Sequence, residues 1–134
     1  MSSDQFRSGH SLELLLDFGA FNSALRSTDL STCYKKLLTT VATGRQLRRA
    51  TIYVALEGQS TEQRQLLSAA RSSGYRIVGK PLKPLSDGSM RGYLGVDMAV
   101  DAVLASNTSN IVAVVTGDPY FLPAIHAMQA NGAR

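Results

Sequence analysis

Four short apolar runs, each separated from the next by a stretch of helical periodicity, constrain this chain more than any other feature. Residues 12–17 read Leu-Glu-Leu-Leu-Leu-Asp, and residues 111–116 read Ile-Val-Ala-Val-Val-Thr. Both are bounded by turn-forming residues, as buried strands are. Residues 51–56 are β-branched and aromatic, and residues 75–78 make a third strand of the same kind. Between the strands, Leu30, Tyr34, Leu37, Leu38 and Val41 share one helical face over 30–43, and Gly44 ends that helix. Ser60 and Gln63 resemble a capping box opening a helix over 61–73 that stops at Gly74. Pro81, Pro84, Asp87, Gly88 and Gly92 mark 80–93 as a loop; helices follow over 96–106 and from Pro119 to about 130. Strands alternating with helices predict an α/β fold in three layers: an open, mostly parallel sheet with helices on both faces. Residues 12–134 form a single domain behind a flexible N-terminus, 1–11. The sequence reaches Ala133 and Arg134 where a further strand is expected, so either the domain lacks a final strand or the sequence stops short of one.

The same pattern excludes several classes. No apolar run approaches the ~20 residues that span a bilayer, and the polar N-terminus has no hydrophobic signal core. A cytoplasmic protein is the expectation. With one cysteine, Cys33, the chain has no internal disulfide, and Cys33 reads as a packing residue within a helix. A net charge of +4 permits nucleic-acid binding without requiring it. Its distribution says more, because Arg45, Arg48, Arg49, Arg76, Lys80, Lys83 and Arg91 crowd the middle of the chain. Residues 45–49 also read as a solvated helix end.

Four of the ten acids occupy informative places: Asp17, Asp97, Asp101 and Asp118. Open parallel sheets bind ligands beyond the carboxyl ends of their strands. Asp17 ends the first strand and Asp118 follows the last by two residues. Asp97 and Asp101 are four apart on one helix and share a face. All four are therefore expected to meet in one acidic pocket, where oxygen ligands without His or Cys favour Mg²⁺ or Mn²⁺. Each has a structural alternative. Asp118 before Pro119 is a helix cap with a first-turn proline; Asp17 caps a turn; Asp97 complements a helix dipole. Asp101, mid-helix among apolar neighbours, calls for a cation or an arginine beside it.

Two segments carry a resemblance. The run Leu94-Gly95-Val96-Asp97-Met98-Ala99-Val100-Asp101-Ala102 and the run Val112-Ala113-Val114-Val115-Thr116-Gly117-Asp118-Pro119-Tyr120-Phe121-Leu122-Pro123 resemble the NYN domain in its LabA-like branch. That domain belongs to the PIN-like nuclease superfamily, whose fold is Rossmann-like. Leu14-Leu15-Leu16-Asp17, Gly74-Tyr75 and Asp87-Gly88-Ser89 are similar to other parts of it, so the likeness spans about 12–132. The resemblance implies a metal-dependent ribonuclease that hydrolyses single-stranded RNA. Asp17, Asp97 and Asp118 would hold Mg²⁺ or Mn²⁺ and act with Asp101 in catalysis. Thr116 stands where the family has a small hydroxyl residue near metal or phosphate, and Lys80, Lys83 and Arg91 are the expected phosphate contacts. Three positions depart from the family pattern: Ala20 replaces an asparagine, Tyr120 an acid and Leu94 a lysine. Ala20 and Tyr120 motivate an alternative, a PIN-like regulatory or RNA-binding module with weak or no turnover. A third expectation is a homodimer formed through an open sheet edge.

Overall fold

The computed structural model describes residues 9–25, 30–58, 60–84, 86, 90–91 and 94–134. Residues 1–8 and 87–89, which include most of the expected flexible N-terminus and Asp87-Gly88-Ser89, lie outside the described residues. Strands β1 (Ser11–Asp17), β2 (Gln46–Leu56), β3 (Arg76–Pro81) and β6 (Ile111–Val115) form one sheet in the order β3-β2-β1-β6. Every neighbouring pair in it is parallel. Helices α1 (Phe18–Ala24), α2 (Leu30–Ala42) and α3 (Thr61–Ser72) precede β3; α4 (Gly95–Ala105) and α5 (Leu122–Ala130) flank β6. The expected loop contains a small antiparallel hairpin, β4 (Lys83–Pro84) with β5 (Met90–Arg91).

Alternation along β1 divides the core in two. Leu12, Leu14 and Leu16 point to one face, where they pack with Phe18, Tyr34, Leu38, Ile52, Val54 and Leu67 from α1–α3 and β2, and with Tyr75 just before β3. Leu15 points to the other face and meets Tyr53, Met98, Ala102, Val112, Phe121, Ala124 and Met128 beneath α4 and α5. Three layers result, as the β/α alternation predicts. Burial of each large aliphatic side chain contributes roughly 1.5–3 kcal/mol, so both faces are needed to offset chain entropy.

Strand β2 begins five residues earlier than the sequence suggests, at Gln46 rather than 51. Arginine-rich 46–49 read as a helix end because their side chains are solvated, and in the fold they are exposed. Only β1 pairs with that stretch, since β3 joins from Thr51 onward. The register skips Arg48 between Leu12↔Leu47 and Glu13↔Arg49, which is a β-bulge. Arg48 Nη1 uses the freedom to donate to the Thr108 carbonyl at 2.7 Å. Lys80, expected in the loop, is on β3.

Connections from β1 run outward to β2 and β3, whereas β6 lies on the opposite side of β1. The strand order therefore reverses between β1 and β6. In open parallel sheets that reversal leaves a crevice at the carboxyl ends of the two strands.

Candidate functional site

A cavity of about 370 Å³ opens at this crevice. Its polar wall comes from three adjacent strand ends: Thr116 and Asp118 after β6, Asp17 at the end of β1, and Glu57 after β2. Asn22 and Ser23 of α1 and Gln63 of α3 complete it; Phe18, Leu94, Met98 and Phe121 supply apolar wall.

Local structure explains why these side chains point there. Asp17 is the N-cap of α1 and its Oδ1 accepts from the Ala20 N–H at 3.3 Å. Asp118 caps the short 3-10 turn Pro119–Phe121, its Oδ1 accepting from the Tyr120 N–H at 2.9 Å, while its own N–H donates to Thr116 Oγ1 at 3.2 Å. Each carboxylate thus caps a turn and also faces the cavity. A Cβ placed on Gly117 meets that of Ala20 at 3.9 Å, so the turn after β6 passes directly beside the first turn of α1. The Ser60–Gln63 signal is half a capping box. Ser60 Oγ accepts from the Gln63 N–H at 3.1 Å, but the Gln63 side chain turns to the end of β2 instead. There it accepts from the Glu57 N–H and donates to the Ala55 carbonyl, both at 3.0 Å.

Asp97 and Asp101 are placed differently from the expectation of a single four-acid pocket: neither lines the cavity. Helix α4 presents Leu94, Gly95 and Met98 to it. The i, i+4 acids face β3, whose i, i+4 bases meet them. Lys80 Nζ donates to Asp97 Oδ2 at 2.8 Å, and Arg76 Nη2 is 3.9 Å from Asp101 Oδ2. Asp101 also accepts from the Tyr53 hydroxyl at 2.7 Å. The arginine anticipated beside Asp101 is therefore Arg76, with a phenol added. Tyr53 is opposite Asp17 in the β1–β2 register and lines the cavity. Burial, together with the adjacent Asp101 carboxylate, pushes its phenol well above the ordinary tyrosine range; Arg76 opposes this.

Among the expected phosphate contacts, Thr116 borders the cavity and Lys80 is committed to Asp97. The side chains of Lys83 and Arg91 lie outside the described residues. Glu57, Tyr53, Gln63 and Asn22 were not anticipated. Glu57 carries the signal already used for Asp17, an acid at the end of an apolar strand, Val54-Ala55-Leu56-Glu57.

The cavity's donors are carboxylate, hydroxyl and amide oxygens, which suit a hard cation. Among the described residues no three His, Cys, Asp or Glu side chains converge into a ready-made metal cage. Two carboxylates still fit Mg²⁺ or Mn²⁺, because such ions keep several waters and share the remaining positions with substrate phosphate. Among the described residues no helix is long and apolar enough to cross a membrane.

Comparison with known proteins agrees with this architecture. The family model for the NYN domain matches residues 14–134. A crystal structure of a protein of unknown function from Vibrio parahaemolyticus superposes with a TM-score of 0.75 at 24% sequence identity, over 97% of this chain and 78% of that one. At that identity the likeness concerns the fold. No curated protein matches the chain.

Proposed function

Since the chain belongs to the NYN domain family, within the PIN-like nuclease superfamily, we propose that it is a ribonuclease that hydrolyses phosphodiester bonds of single-stranded RNA with Mg²⁺ or Mn²⁺. One observation carries the proposal: Asp17 and Asp118 end adjacent parallel strands on either side of the switch point and open into the same cavity. Asp17 and Asp118 would hold the divalent cation, which would supply charge neutralisation at the scissile phosphate and a more acidic water. The chain's own groups do the remaining work. Capping bonds from the Ala20 and Tyr120 N–H groups orient the Asp17 and Asp118 carboxylates before any ligand arrives, which reduces the reorganisation that binding requires. The Thr116 hydroxyl accepts from the Asp118 N–H and orients the strand exit. Glu57, exposed at the mouth, is placed to accept a proton from water. Asp97 and Asp101 anchor α4 in this reading, and the cation site rests on Asp17 and Asp118.

The test is cleavage of single-stranded RNA by purified protein with Mn²⁺, beside Asp17→Asn, Asp118→Asn and chelator controls. Turnover that survives in both variants, or that is absent from the parent, refutes it. A second reading, RNA binding without turnover, is favoured by the convergence of only two of the four aspartates. Tyr120 in place of an acid points the same way. Salt-sensitive RNA binding with no cleavage would establish it.

A further inference from the structure

Tyr120 is 85% exposed, more than any other large apolar side chain among the described residues. The contrast with the other aromatic residues is sharp. Phe18, Tyr34, Tyr53, Tyr75 and Phe121 are all buried. Exposure here does not mean a loose mount. The Tyr120 N–H is held by Asp118 Oδ1 at 2.9 Å, Pro119 restricts the backbone before it, and Phe121 after it is buried in the cavity wall. The ring therefore projects into solvent from a short, anchored turn that starts at a cavity acid and ends in the cavity wall. Leu122, also exposed, extends the apolar surface beside it.

An exposed ring on an anchored backbone turn, beside the site proposed for phosphate, matches one ligand feature well: the face of an unpaired nucleobase. Every base has such a face, so stacking tolerates any sequence. In a duplex those faces are covered by neighbouring base pairs. We propose that Tyr120 is a stacking platform for the nucleotide next to the phosphate held at Asp17 and Asp118, and that it makes the site selective for single strands. The inference rests on the RNA reading above and adds to it a subsite and the residue that forms it.

The experiment measures fluorescence anisotropy of a labelled single-stranded 2′-O-methyl RNA, which resists cleavage, and of its duplex, with the parent protein and with Tyr120→Ala, Tyr120→Phe and Tyr120→Trp. Loss of one stacked base weakens single-strand binding by about 5- to 150-fold in Tyr120→Ala. Tyr120→Phe and Tyr120→Trp keep parental affinity, and duplex binding is weak and unchanged throughout. Equal single-strand affinity in Tyr120→Ala and parent overturns the platform and leaves the RNA reading intact. Failure of the parent to bind the single strand overturns both. Loss in Tyr120→Phe equal to that in Tyr120→Ala assigns the effect to the hydroxyl and overturns stacking. So does a sedimentation result in which Tyr120→Ala turns a dimer into a monomer without changing RNA affinity.

Discussion

Tyr53→Phe removes one oxygen from the molecule and decides which task Asp101 performs. The tyrosine is 3% exposed, and its O–H reaches the Asp101 carboxylate at 2.7 Å. A hydrogen bond to an ionised group contributes roughly 1.5–3 kcal/mol. Asp101 is not sealed from water, however: its side chain is 39% exposed, and Arg76 stays nearby at 3.9 Å. Water therefore re-solvates part of the carboxylate, and the loss falls to about 1–1.5 kcal/mol. For a chain of 134 residues that is a drop of about 3–6 °C in Tm. Urea unfolding of Tyr53→Phe, Asp101→Ala and the double variant gives the interaction energy directly, because the two residues share one bond. If Asp101 anchors α4, the double variant is less destabilised than the sum of the singles by more than ~0.5 kcal/mol. Calorimetric Mn²⁺ binding then stays at the parental affinity in Asp101→Ala. Additive losses, or Mn²⁺ binding that disappears with Asp101, would refute the anchoring role and return Asp101 to the metal site.

Three further outcomes are expected. Asp17→Asn and Asp118→Asn keep an oxygen that caps the following turn, so stability changes by only a few tenths of a kcal/mol, while calorimetric Mn²⁺ binding weakens at least about tenfold through loss of a hard anionic ligand. In Gly79→Ala the added Cβ stands 3.0 Å from Leu56 Cγ and Cδ1; the crowding costs about 1–3 kcal/mol in urea unfolding, and Leu56→Ala in the same chain relieves part of it. Burial holds the phenols of Tyr34, Tyr53 and Tyr75 above their ordinary value. A raised folded-state pKa contributes stability that is fully present below the unfolded value of about 10 and is lost as pH climbs beyond it. Melting followed by circular dichroism should therefore show Tm falling above about pH 10, less steeply in Tyr75→Phe; a flat profile would contradict the burial argument.

The strands of the main sheet were legible because they follow from residue type and order; the strand order that creates the switch point was not read from the sequence. Apolar runs at 12–17 and 111–116, bounded by turn residues, read most simply as buried strands, and a β/α alternation puts their carboxyl ends at one edge. Asp17 and Asp118 inherit their position from that. The facing of α4 was not legible in the same way. Asp97 and Asp101 share a helix face, but which neighbour that face meets depends on how the helix docks, and the bases of β3 determine it. Residues 46–49 misled for a related reason. A strand extension paired on one side can carry arginines as comfortably as a helix end does, and a bulge at Arg48 hides the alternation that would reveal it. Glu57 was readable by the rule applied to Asp17, whereas the buried phenol of Tyr53 has no local sequence signature.

The two acid pairs lie in different places, yet Tyr53 joins them. It is opposite Asp17 in the sheet register and borders the cavity, while its hydroxyl is tied to Asp101 on α4. Helix α4 contributes Leu94, Gly95 and Met98 to the cavity wall from the turn that also carries Asp97. The Lys80–Asp97 and Arg76–Asp101 contacts therefore add to the packing of Met98, Ala102 and Ala105 in holding that wall beside the sheet. Loss of Lys80 or Arg76 acts on the cavity by shifting α4, with no carboxylate facing the cavity altered. If the chain turns over RNA as proposed, Lys80→Ala or Arg76→Ala raises KM with a smaller effect on kcat, the reverse of the outcome expected for Asp118→Asn.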